Sequence, residues 1–243
     1  CIGTAVNITL TGSVTGVNYQ LRLDSDDSNV GTAVAGTGGD ITFSVNPAST
    51  TTYNVLATVV ATTCSLEMTD KSTVTVNALP AQKVVSDPST CIGTAVNITL
   101  TGSVTGVNYQ LRLDSDDSNV GTTVAGTGGD ITFSVNPAAT TTYNVLATVV
   151  ATTCSVEMTD KSTVTVNALP AQKVVSDPST CIGTAVNITL TGSVTGVNYQ
   201  LRLDSDDSNV GTAVAGTGGD ITFSVNPATT TTYNVLATVV ATT

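Results

Sequence analysis

Histidine is absent from this chain, and with it go the relays in which an imidazole activates a serine or cysteine nucleophile. A zinc site is excluded on similar grounds, because each repeated unit offers only two cysteines and no imidazole. Basic residues are scarce: seven Lys and Arg stand against 18 Asp and Glu, for a net charge of −11. That sign repels nucleic acid and anionic lipid, so neither is expected as a partner. Tryptophan is missing and aromatic residues make up 4% of the chain, too few for a sugar-binding face built on exposed rings. No apolar run approaches the roughly 18 residues of a membrane span, and no paired acids stand apart from the turns to suggest acid–base chemistry. An enzyme is not expected.

What is present is repetition. The stretch CIGTAVNITLTGSVTGVNYQLRLDSDDSNVGT opens at Cys1 and returns at Cys91 and Cys181, with three positions changing over the 90-residue period. Ala33 becomes Thr123 and then Ala213, Ser49 becomes Ala139 and then Thr229, and Leu66 becomes Val156. All are small or apolar exchanges, as expected of recent duplication within a long array. The chain begins in mid-repeat and is read as an excerpt from a longer protein. With 40% apolar and 10% charged residues, its composition is that of a folded chain.

The apolar residues alternate. Val6, Ile8 and Leu10 share one face of VNITL, and Tyr19, Leu21 and Leu23 share one face of NYQLRLD. The same period of two places Ile41, Phe43 and Val45 together, then Tyr53, Val55, Ala57 and Val59. KSTVTVNA reads as a last strand and KVVSDPST as the first strand of the next unit. The turn-rich segments TGSVTG, DSDDSN, GTGGD and NPAST separate them at sandwich spacing, and no stretch carries a helical period. Pro80 cannot donate to a ladder and lies between two strand patterns, which sets the domain breaks near residues 79–82 and 169–172. The expected domains are therefore residues 1–80, lacking a first strand, residues 81–170, complete, and residues 171–243, lacking a last strand. Linkers of about four residues predict an end-to-end, semi-rigid rod of all-β sandwiches.

In NPASTTTYNV, Pro47 makes a turn and Tyr53 opens the penultimate strand, with Pro137, Tyr143, Pro227 and Tyr233 as counterparts. The pattern resembles the tyrosine corner of immunoglobulin-like and fibronectin type III sandwiches. A cysteine before the second strand (Cys1) and another after the penultimate strand (Cys64) add a resemblance to the tandem Ig-like repeats of giant surface proteins of Bacteroidota, exported by the type IX system. Those relatives often carry a core tryptophan; here Tyr19 and Phe43 are expected to fill that volume. The resemblance implies an extracellular adhesin or filament whose repeats hold an adhesive tip away from the cell, for attachment, gliding or capture of other cells.

Cys1, Cys64, Cys91 and Cys154 are the candidate disulfide residues. Either Cys1 pairs with Cys64 and Cys91 with Cys154 within domains, or Cys64 pairs with Cys91 and Cys154 with Cys181 between neighbours. The first is favoured if strand entry and strand exit meet at one end of a sandwich. Such a bond is worth roughly 2–4 kcal/mol and implies an oxidising, extracellular location. Asp24, Asp26 and Asp27 in DSDDSN form a weak calcium candidate, lacking the glycine and glutamate of a helix–loop–helix site; no other cofactor is expected. Two further expectations follow: self-association into a multi-chain fibre, with other cells met through regions outside this segment, and, as an alternative, repeats that each bind a carbohydrate or cell-surface ligand.

Overall fold

A computed structural model of the chain describes residues 1–240, so the last three residues of the third expected domain lie outside it. The described residues form strands and turns with no helix. The first repeat contributes β1 (Val6–Leu10), β2 (Val17–Leu23), β3 (Val34–Ala35), β4 (Ile41–Val45), β5 (Thr51–Val59), β6 (Ser65–Glu67) and β7 (Ser72–Val74). The second contributes β8 (Ser89–Cys91), β9 (Val96–Leu100), β10 (Val107–Leu113), β11 (Val124–Ala125), β12 (Ile131–Val135), β13 (Thr141–Val149), β14 (Ser155–Glu157) and β15 (Ser162–Asn167). The third contributes β16 (Val186–Leu190), β17 (Val197–Leu203), β18 (Val214–Ala215), β19 (Ile221–Val225) and β20 (Tyr233–Val239).

Each repeat builds two antiparallel sheets around one core. In the first, β1 pairs with β4, while β3, β2, β5 and β6 make the other sheet, with β7 also on β5. The register sets Ile8 opposite Phe43 and Leu21 opposite Val55. Inward residues of the two sheets thus meet in a layer containing Tyr19, Leu21, Ile41, Phe43, Val45 and Tyr53. The alternation expected of ITFSV is realised in all three repeats as buried Ile, Phe and Val separated by exposed Thr and Ser. Tyr109 and Phe133 of the second repeat are 0% and 5% exposed, so these rings occupy the centre in the absence of tryptophan.

The expected first strand takes another form. In KVVSDPST, Val85 makes an isolated bridge to Leu100, and the short β8 follows after Pro88. Proline removes a ladder donor and divides what would otherwise be one strand. By compactness the chain divides into two units, residues 1–90 with 95–165, and residues 91–94 with 166–243. The first unit holds two of the three cores and the second unit holds the third.

Candidate functional site

The cysteines depart from both expected pairings. Cys1 is bonded to Cys154, 153 residues away, with 5.6 Å between the Cα atoms. Cys64 and Cys181 are free, exposed thiols, and Cys91 is exposed as well. Strand direction explains why Cys1 and Cys64 do not meet. β7 runs antiparallel to β5 with Val74 opposite Thr51, so Asn77 lies at the end where β5 starts, and Ile2 just ahead of β1 is bonded to it; β1 and β5 therefore start at the same end. The start of the one and the exit of the other then lie at opposite ends of the sandwich. The Val60 amide donates to the Gly16 carbonyl at 2.9 Å, which fixes the Cys64 turn at one end. The Ile2 amide donates to the Asn77 carbonyl at 3.0 Å, which holds Cys1 at the other. A nine-residue strand separates the two ends by about 30 Å, far beyond disulfide reach. Within the first compact unit, the Cys1 end of the first repeat is therefore joined to the Cys154 turn of the second, and Cys154 is 1% exposed there.

The aspartate turn is tied into each repeat through separate partners. Asp24 pairs with Lys71, which raises the lysine above its ordinary value, by the hydrogen bond first and then by charge. Asp26 accepts the Ser28 amide at 3.0 Å, and its hydrogen bonds to Ser28 hold the carboxyl below the ordinary value. Asp27, in the left-handed region at φ 58°, accepts from the Asn54 side chain at 2.8 Å and faces Arg22 at 3.2 Å. Arg22 also donates to Asn54 Oδ1 and to Glu67. The network recurs on Arg112, Asn144, Asp117 and Glu157. Asn54 and Asn144 are each 1% exposed, so these bonds satisfy amides that would otherwise be orphaned. No cluster of three or more potential metal ligands is present among the described residues.

Tyr53 and Tyr143 are buried at 4% exposure, whereas Tyr233 is half-buried. Burial pushes the Tyr143 hydroxyl above its ordinary value, opposed by a hydrogen bond with the Thr141 side chain. Pro47, Pro137 and Pro227 are half-buried in the turns that cross between sheets. A tyrosine bond to backbone upstream is made by Tyr19, Tyr109 and Tyr199, whose hydroxyls accept the amides of Val14, Val104 and Val194 at 2.9, 3.0 and 3.0 Å. Sequence reasoning assigned these rings to the core and missed the second role. The signal was a tyrosine five residues beyond the turn valine in every repeat. The Arg22–Asn54 pairing was missed because a polar residue between Tyr53 and Val55 reads as solvent-facing.

No known family matches the sequence, and no curated protein matches it. Solved structures show similarity of fold. The I9-I11 tandem from titin is 10% identical with a TM-score of 0.34, covering 96% of this chain and 88% of that one. The chicken CNTN1 FN1-FN3 domains are 12% identical with a TM-score of 0.31, covering 97% and 88%. The fibronectin(III)-like modules of Clostridium thermocellum CbhA are 11% identical with a TM-score of 0.35, covering 68% and 87%. The class defined by the strands is that of tandem Ig-like and fibronectin III-like β-sandwich domains.

Proposed function

We propose that this chain is a load-bearing stretch of an extracellular, cell-surface adhesin or filament of the Bacteroidota type, in which repeats act as covalently linked spacers. The observation that carries the reading is the Cys1–Cys154 bond between successive repeats. A bond between neighbours contributes nothing to a binding pocket inside one module, but it changes what happens under tension. Force applied at Cys1 crosses the disulfide to Cys154 and bypasses the chain between them, so the first core is shielded, as is the part of the second that precedes Cys154, while Met158 and Val164 remain on the loaded side. In an array of this unit, the same register would join each first cysteine to the second cysteine of the following unit. Extension would then be limited by short backbone stretches between overlapping bonds. Such a design suits a spacer that carries an adhesive tip, and near-identical repeats would allow several chains to associate side by side in one register.

Single-molecule pulling on the two ends tests the reading. The oxidised chain is expected to release at most the length of the 89 residues beyond Cys154 (243 − 154), about 300 Å at ~3.5 Å per residue. Reduction should raise the limit to about 850 Å. Full release from the oxidised chain would remove the basis for a load-bearing role.

A further inference from the structure

One sheet of every repeat ends in a bare strand. β12 pairs with β9 on one side and, among the described residues, with no strand on the other; β4 and β19 do the same in the first and third repeats. Register and hydrogen bonding show which groups this leaves on the free edge. Thr99 donates its amide to Ser86 Oγ at 2.9 Å, and its carbonyl accepts the Ser86 amide at 3.0 Å, both on the side of β9 away from β12. Neighbouring residues of an antiparallel ladder turn to opposite sides. The bonds from β9 to β12 therefore come from Ile98 and Leu100, which stand opposite Phe133 and Ile131. Thr132 and Ser134 direct their amides and carbonyls away from β9, to the open side. In the third repeat Thr189 and Ser176 make the same two bonds, each at 2.9 Å, which sets Thr222 and Ser224 on that edge in the same way.

Sheet edges in proteins are blunted by charged side chains, prolines, bulges or a covering segment. β12 has none of these. It reads ITFSV, pairs with β9 in unbroken register over all five residues, and exposes Thr132 and Ser134 between three buried apolar side chains. The adjoining acid, Asp130, is turned back into its own repeat, where its carboxylate accepts the Gly102 amide at 2.9 Å. Pro137 lies beyond the strand. The edge is also complementary to itself. With a second copy placed antiparallel about a two-fold axis through Phe133, Thr132 faces Ser134 of the copy and Ser134 faces its Thr132. Each of these pairs exchanges two main-chain bonds. Asp130 then meets Asn136 of the copy, so no like charges oppose each other across the contact.

We propose that this edge is a self-recognition surface, on which a second copy of the chain adds its own strand antiparallel and joins two small sheets into one. The two-fold axis is normal to the sheet and reverses every direction in its plane. Joined copies thus pass in opposite directions, as copies displayed on facing cells would. The proposal rests on the reading of the chain as a cell-surface spacer and adds to it a contact between spacers. A single edge makes a weak contact, and an array offers one such edge per repeat. The net charge of −11 opposes the approach of two copies, so the contact should tighten as salt screens that charge.

The test uses the intact, oxidised 243-residue chain with its exposed thiols alkylated, studied by sedimentation equilibrium and amide hydrogen exchange at raised ionic strength. Reversible association is expected, with exchange at the Thr42, Ser44, Thr132, Ser134, Thr222 and Ser224 amides slowed at least about tenfold between dilute and concentrated samples. Replacing all six residues by lysine would set lysine against lysine across the axis and should weaken association at least about tenfold. A six-glutamate version should be weakened likewise, and mixing the two versions should restore association, because lysine then meets glutamate. Melting transitions like that of the parent chain would show that both versions are folded. The proposal is overturned if the parent chain stays monomeric, if it associates while the six amides exchange as fast as in the dilute chain, or if the lysine version associates equally well. None of these outcomes touches the load-bearing reading, which the pulling measurement decides separately.

Discussion

The amide of Val104 donates to the hydroxyl of Tyr109 at 3.0 Å, and Gly126 lies against both residues. A methyl group at Gly126 would stand 2.1 Å from the Val104 carbonyl oxygen and 3.0 Å from the Tyr109 ring. Backbone cannot move aside as a flexible side chain can, so Gly126→Ala should destabilise the second core by roughly 2–3 kcal/mol. Tyr109→Phe keeps the ring but leaves the Val104 amide without its acceptor, at a cost of about 1 kcal/mol. Urea denaturation followed by hydrogen exchange at β9–β13 should show both losses in the second repeat alone. Gly126→Ala with unaltered stability would contradict the close packing.

The disulfide has a direct chemical signature. Proteolysis without reductant, followed by mass spectrometry, should recover the Cys1 peptide joined to the Cys154 peptide, with Cys64 modified by an alkylating reagent beforehand. Cys154→Ser should leave the hydrophobic clusters intact, because neither cluster in the first unit includes a cysteine. It should nevertheless give the long, reduced-type extension under oxidising conditions. Recovery of a Cys1–Cys64 pair would restore the within-domain arrangement.

Asn144 is the pivot of a polar network on a strand otherwise built for packing. It accepts from Arg112 at 2.9 Å and donates to Asp117 at 2.8 Å. Asn144→Leu would retain the volume while stripping partners from a mostly buried guanidinium, so a loss of about 2–3 kcal/mol is expected. The Lys161–Asp114 pair lies open to solvent screening and should matter far less, so Lys161→Ala is expected to leave stability close to that of the parent chain. Chemical denaturation of the two variants checks the ranking, and equal losses would contradict it.

The sandwich was legible in the sequence because one face of each strand is buried, and a period of two records that directly in residues such as Ile41, Phe43 and Val45. Cysteine connectivity was not legible. It depends on which end of the sandwich each strand enters and leaves, and spacing between Cys1 and Cys64 carries no direction. The roles of Asn54 and Arg22 were hidden for a related reason. The DSDDSN turn folds over the outer sheet face, so residues that alternate outward are covered by a loop rather than by water. Val85 was assigned to a first strand, yet its partners, Leu100 on one sheet and Asp160 in the segment between β14 and β15, emerge only when the strands are in place.

Stability should be flat from about pH 5 to pH 7, because the chain has no histidine to titrate in that interval. On the acid side, Asp26, Asp116 and Asp206 have carboxyls held below the ordinary 3.8, chiefly by hydrogen bonds to Ser28, Ser118 and Ser208. A depressed folded-state value means that their contribution is present above the unfolded value and is lost as pH falls through the folded one. On the alkaline side, Lys71 and Lys161 are raised above 10.5 by Asp24 and Asp114. Their contribution is complete below the unfolded value and disappears as pH rises through the folded one. Melting temperatures measured across the range should therefore decline only at the two extremes. A step near pH 6 would require a titrating group that the sequence does not contain.

Calcium provides a sharper test of the aspartate turn. For Asp24, Asp26 and Asp27 to gather around an ion, Asp24 would have to leave Lys71, Asp26 the Ser28 amide, and Asp27 both Asn54 and Arg22. Those partners hold the three carboxylates in different directions, and releasing Asp27 would also strip a bond from the buried Asn54 side chain. A site with a dissociation constant near 0.1 mM would stabilise the folded chain by about 2.7 kcal/mol at 10 mM calcium, a shift of several degrees in melting temperature. The expected result is no shift on adding calcium and none on adding a chelator, since the three carboxylates are already engaged by the turn's own lysine, arginine and amides. A rise of that size, lost on Asp26→Asn substitution, would show that the turn opens to bind the ion and that the internal network is only its resting arrangement.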